Sequence, residues 1–176
     1  MNRGGRLFRA KIRLADTDRH RYATLDTDLA QHPSETDERV ILRLLAYLLF
    51  HQDRLAFRGG GVSEGDAPDL AATDATGRLV HWIDVGTPDE VRLRRAARRC
   101  RVSVLTHTGL LSRWKRRHKG RLPLFEGELL ALEASLIDTL TDHLPRRLEW
   151  QATLTGEVLY LDTGERVLSS PLLHPK

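Results

Sequence analysis

The run Trp82-Ile83-Asp84-Val85-Gly86-Thr87-Pro88-Asp89-Glu90 constrains this chain more than any other stretch. It reads as a strand that carries an acid on one face and turns at once into a capped helix. Thr87 is placed as the N-cap, Pro88 fits the first helical position, and Glu90 closes a capping box. A period of two over Leu79–Val85 puts Val80, Trp82 and Asp84 on one face and Leu79, His81, Ile83 and Val85 on the other. A shorter strand over Asp69–Thr73, joined through Asp74-Ala75-Thr76-Gly77, is expected to pair with it and bring Asp69 opposite Asp84. Two carboxylates with a backbone carbonyl and waters suit Mg2+ or Mn2+, and such an ion polarises a scissile phosphate and activates a water. Acids paired around a hairpin are common, so this spacing alone is a weak sign of function.

The flanking segments predict the rest of the architecture. Phe8, Ala10, Ile12 and Leu14 alternate with Arg9, Lys11 and Arg13, which predicts a half-buried strand over Leu7–Leu14. Tyr22–Gln31 follows as its antiparallel partner. Ser34, after Pro33, is expected to cap a helix running to about Phe50, with Glu35, Asp37 and Glu38 at its positive end. Ile41, Leu42, Leu45 and Leu49 form its apolar face. Glu38 lies on that face, either as a dipole partner or as a site residue. Arg58–Pro68 is a glycine-rich loop. Beyond Thr87 come a helix to about Arg99, a strand over Arg101–Thr106, a basic helix over Gly109–Lys119 and a short strand over Leu122–Phe125. An amphipathic helix over Glu128–Leu144 ends at Pro145. Strands Leu148–Leu154 and Glu157–Leu161 form a hairpin, Arg166–Ser169 adds a third strand, and residues 171–176 make a loose tail. The order predicts an α/β (α+β) chain with a mixed sheet flanked by helices, in one domain over residues 1–176.

Net charge is only +4, but its distribution is uneven. Arg92, Arg94, Arg95, Arg98, Arg99 and Arg101 crowd one segment; Lys115, Arg116, Arg117, His118, Lys119 and Arg121 crowd another. Such clusters suit a phosphate-bearing partner or form a solvated surface. Trp114 among them is either a base-stacking platform or an indole packed on the core, the commoner case. The lone Cys100 excludes an intrachain disulfide and a multi-cysteine metal site, and reads as a packed thiol. His32, at a helix start, is either a site residue or, more commonly, a structural hydrogen-bonding partner. No secretory signal is visible, and the most apolar run, Leu42–Phe50, is too short to span a bilayer, so a cytoplasmic protein without membrane association is expected. No phosphate-cradling glycine loop, serine–histidine–acid order or zinc pattern is present.

Several motifs together resemble the YaeQ family of bacterial proteins. They are His32-Pro33-Ser34-Glu35-Thr36 with Glu38-Arg39, Leu42-Arg43-Leu44-Leu45-Ala46, Pro68-Asp69-Leu70, and Trp82-Ile83-Asp84-Val85-Gly86 followed by Pro88-Asp89-Glu90. The resemblance runs from Lys11 to about Leu161. It implies a fold similar to the PD-(D/E)XK nuclease superfamily, with Asp69 matching the first aspartate, Asp84 the second acid and Glu38 the helical glutamate. Gly86 departs from that pattern, because the superfamily's lysine belongs two residues after the second acid. Arg94 or Arg95 is expected to steady a phosphate there; arginine stays protonated, so it clamps but cannot act as a general base. The implied activity is a Mg2+-dependent, nuclease-like protein acting on nucleic acid. The alternatives are a non-catalytic nucleic-acid-binding module on the same fold, or an interaction adaptor with a protein partner in transcription.

Overall fold

The computed structural model describes residues 5–58 and 66–176. Strand β1 (Arg6–Asp16) buries Phe8, Ala10, Ile12 and Leu14 and leaves Arg9, Lys11 and Arg13 in solvent, as its alternation requires. It pairs antiparallel with β2 (Arg21–Gln31) and parallel with β8 (Arg147–Thr155). Strands β9 (Val158–Asp162) and β10 (Val167–Pro171) complete a mixed sheet in the order β10-β9-β8-β1-β2. A second mixed sheet has the order β3-β4-β5-β6-β7. Its strands are β3 (Leu55–Phe57), β4 (Leu70–Thr73), β5 (Leu79–Val85), β6 (Arg101–His107) and β7 (Glu128–Leu132). Pairing is antiparallel from β3 to β5 and parallel from β5 to β7.

Helices α1 (Asp37–Leu49) and α4 (Ala134–Asp142) share one large core with the inner faces of both sheets. That position explains α1's sequence: every residue from Val40 to Ala46 is buried, including Arg43, because the helix meets protein on all sides. Helices α2 (Glu90–Ala97) and α3 (Thr108–Arg117) cover the other face of the second sheet. There Leu93, Ala96, Trp114 and Leu122 pack on Trp82, Val102 and Val104 in a smaller core. No helix of the described residues is long and apolar enough to cross a membrane.

The fold departs from the sequence expectations in several places. Two mixed sheets stand where one was expected. Glu128–Leu144 is not one helix: residues 128–132 join β6 in parallel and α4 begins only at Ala134. The Leu129–Leu132 run is apolar enough for either state, and pairing with β6 decides for a strand. Leu122–Phe125 forms no strand. The first helix is capped by Thr36, whose hydroxyl accepts from Arg39 N–H, not by Ser34; Ser34 instead meets His32 Nδ1 at 2.7 Å. The second is capped by Asp89, which accepts from the N–H groups of Val91 and Arg92, so Thr87 and Pro88 lie outside the helix. The tail is also tied down, since Leu173 bridges to Ala131. Most of the glycine-rich loop, residues 59–65, lies outside the described residues.

Candidate functional site

The β4–β5 register sets Leu70 against Ile83 and thereby brings Asp69 to Asp84. Asp69 N–H donates to Asp84 Oδ1 at 3.3 Å, and Asp69 Oδ2 accepts from Val85 N–H at 2.8 Å. Asp84 is only 2% exposed. Trp82, two residues back on the same face, donates its indole N–H to Asp84 Oδ2 at 2.9 Å. A buried carboxylate of this kind needs a counter-charge. Arg92 supplies it from α2: Nε lies 2.9 Å from Oδ2 and Nη2 lies 3.2 Å from Oδ1. The guanidinium also sits over the Trp82 ring, 4.9 Å from its centroid.

Asp69 has its own arginine. Arg39, in the first turns of α1, pairs with Asp69 Oδ1 and donates to the Val85 carbonyl at 3.5 Å. Burial pushes the Asp69 carboxyl above the ordinary carboxylate range; Arg39 opposes that shift and the neighbouring Asp84 adds to it. Glu35 is not a helix-dipole partner. It lies before the cap, buried, and pairs with Arg43 at 3.0 Å and Arg39 at 3.6 Å. Arg39 thus ties Glu35 to Asp69, and the N-terminus of α1 to the end of β5.

Glu38 points elsewhere. Its Oε1 meets Nε2 of buried His107, at the end of β6, at 2.7 Å. Nδ1 of His107 accepts from Gly109 N–H at 3.2 Å and so caps α3. An acceptor at Nδ1 leaves the proton on Nε2, so the imidazole donates to Glu38. The Glu38 side chain keeps about a third of its surface exposed (35%).

Asp69, Asp84 and Glu38 therefore gather around the ends of β5 and β6, but not as one cluster. Among the described residues no three His, Cys, Asp or Glu side chains form a group able to hold a metal ion. All four oxygens of Asp69 and Asp84 already accept hydrogen bonds, from backbone, indole or guanidinium groups. This donor set does not fit Mg2+ or Mn2+ as arranged, because two guanidinium groups stand where a cation would bind. Arg94 and Arg95 are engaged away from the acid pair: Arg94 pairs with Glu90 at 2.9 Å and donates to the Leu124 carbonyl, and Arg95 faces Asp66 at 3.7 Å. The arginines that reach the acids are Arg39 and Arg92. Helical phase was the available signal for Arg92, since it lies four residues before buried Ala96 and next to buried Leu93. For His107 the local sequence carries no such signal.

Beside the acids lies a basic face. Arg94, Arg95, Arg98 and Arg99 of the α2 region are exposed, as are Arg113, Arg116, Arg117 and Lys119 of the α3 region. The two segments are linked, Arg117 to Thr87 at 2.7 Å and Arg121 to Glu90 at 3.0 Å. Trp114 is 1% exposed, so it is the packed indole and not a stacking platform. Cys100 is partly buried against the same small core, and burial raises its thiol pKa.

Known proteins agree with this architecture over nearly the whole chain. The family described as "YaeQ protein" matches residues 1–171. The protein named "Uncharacterized protein YaeQ" of Salmonella typhi is 28% identical over 169 residues, 94% of this chain and 93% of that protein. Its namesake in Escherichia coli (strain K12) is 28% identical over 165 residues, covering 92% and 91%. The crystal structure of YaeQ from Pseudomonas syringae superposes with a TM-score of 0.86 at 30% identity, covering 97% of this chain and 95% of that one. YaeQ from Xanthomonas axonopodis pv. citri gives 0.85 at 32% identity, covering 97% of each chain. With a shared fold over nearly the whole chain and a family match over residues 1–171, this chain belongs to the YaeQ family.

Proposed function

We propose that this chain binds nucleic acid through the α2–α3 face, on a fold of the PD-(D/E)XK nuclease kind whose acid pair holds arginines in place of a metal. The observation that carries this reading is the saturation of Asp69 and Asp84 by Arg39 and Arg92. The acids then work as anchors: they fix α1 and α2 on the sheet and orient α2's outward arginines. Phosphate groups on a nucleic-acid backbone are the ligands such a face suits, and their affinity falls with salt through counterion release. The test is fluorescence anisotropy of a labelled duplex of about 20 base pairs between roughly 50 and 200 mM NaCl. Binding that weakens steeply with salt, and that is lost in Arg98→Glu/Arg116→Glu, supports the reading; no binding at about 50 mM overturns it.

A second reading is a Mg2+- or Mn2+-dependent phosphodiesterase at the same acids, with Glu38 assisting. Its support is the Asp69 N–H bond to Asp84 Oδ1, which sets the two acids side by side, and the upward shift of Asp69, due first to burial, with Asp84 adding to it against Arg39. A cation could enter only if Arg39 and Arg92 withdrew. Calorimetric titration of Mn2+ into the wild type and Asp84→Asn separates the two readings. Saturable binding that the substitution abolishes, with cleavage of the labelled strand, favours the second. A stable protein complex without nucleic-acid affinity would move the chain to the third class, a transcription-associated adaptor.

A further inference from the structure

The segment from α3 to β7 carries a recess that the acid site does not use. It encloses about 440 Å3, within the range of small-ligand sites. Its floor is apolar, from Leu122, Pro123 and Phe125, and exposed Leu124 stands at the rim. Lys115, Arg121 and Lys176 line it, with no acidic side chain among the described lining residues. Arg121 is held in place by Glu90, and the Leu124 carbonyl accepts from Arg94 of α2 at 2.8 Å, so the recess abuts the basic face.

Phe125 is fixed by its surroundings. Its ring packs against the small core and passes over Gly127. A Cβ at Gly127 would sit 2.7 Å from Phe125 Cε2 and 2.5 Å from the Val102 carbonyl oxygen, so only glycine lets the ring lie this close to the backbone. A held aromatic ring, an apolar floor and a cationic rim match one ligand chemistry: a flat, apolar-faced ring attached to an anion.

We infer that this recess receives one unpaired base of a single-stranded nucleic acid, stacked on Phe125, with the adjoining phosphates on Lys115 and Arg121. This rests on the nucleic-acid-binding reading above and deepens it by naming the strand state. A base in a duplex enters a recess only at the cost of unstacking and unpairing, whereas single strands offer splayed bases to aromatic rings.

The test compares labelled oligo(dT) of about 12 nucleotides with a duplex of the same length by anisotropy at roughly 50 mM NaCl. The proposal expects Phe125→Ala to weaken oligo(dT) binding about tenfold, with duplex binding within about twofold of wild type. Phe125→Tyr should bind as wild type. Leu124→Asp, at a position 64% exposed, sets a negative charge at the rim without touching the core and should also weaken oligo(dT) selectively; it keeps the test valid if Phe125→Ala fails to fold. Unchanged oligo(dT) binding in Leu124→Asp and Phe125→Ala, or equal losses for both ligands, overturns the recess while leaving the basic face intact. No binding of either oligonucleotide by the wild type overturns both.

Discussion

Arg92→Met is the most informative single perturbation. It preserves the aliphatic stem and helix propensity of residue 92 and removes only the guanidinium. The wild-type group makes two bonds to Asp84, at 2.9 and 3.2 Å, and covers the Trp82 ring. Without it Asp84 keeps the indole N–H and the Asp69 N–H but no counter-charge, at 2% exposure. Removing one partner of a buried ion pair costs about 3–5 kcal/mol, because the other charge is stranded. Arg92 keeps 23% of its side chain in solvent, so water can partly replace it, and the lower end, about 3 kcal/mol, is expected. For a chain of this length that corresponds to roughly 6–12 °C in Tm. Urea unfolding followed by far-ultraviolet circular dichroism reads the loss directly. Adding Asp84→Asn should restore part of it, because the stranded charge disappears. A change within about 1 kcal/mol for Arg92→Met, or strict additivity in the double variant, would refute the idea that the arginine is Asp84's structural counter-ion.

Three further outcomes concern His81, His107 and Gly86. His81 lies between Gln52 and Ser103, and burial, aided by Arg101, lowers its pKa from 6.5 to about 4. The unfolded chain therefore binds this proton first, so its contribution is intact above pH 6.5 and is lost as pH falls toward 4, about 3 kcal/mol in all; urea midpoints measured across that window should fall less steeply in His81→Gln. His107→Ala should be about 1 kcal/mol less stable than His107→Asn, since asparagine can still cap α3 while both lose the Glu38 bond; equal urea midpoints would remove the capping role. Gly86 has φ +86°, and a Cβ added there would meet nothing within 4 Å, so Gly86→Lys should fold and lose about 1–2 kcal/mol to backbone strain alone. A loss well above that in thermal unfolding would mean the position is crowded.

Local pattern carried much of the fold. Alternation located β1 and β5, hairpin pairing added β2, β8 and β9, and the period of two placed Trp82 and Asp84 on one face, where the indole now bonds the carboxylate. The turn at Asp74–Gly77 was enough to bring Asp69 to Asp84, since a hairpin is a short-range object. The lone tryptophan of α3 proved to be core, as large buried side chains usually are.

Contacts between distant segments decided the rest. Strand β1 finds β8 far along the chain, Arg9 pairing with Arg147, so two sheets form where the order of elements alone suggests one. Leu129–Leu132 is compatible with helix or strand until β6 offers its parallel edge. Ser34 and Thr87 are good caps by composition, but Thr36 and Asp89 stand where the helix axes begin, and the axes are set by packing on the sheets. The counter-ions of the site show the same division. Sequence names two acids and a crowd of arginines, and nothing local states which guanidinium reaches which carboxylate. Burial settles it: Arg39 and Arg92 extend from helix turns that face the sheet, and a desolvated carboxylate takes the charge that packing brings within reach.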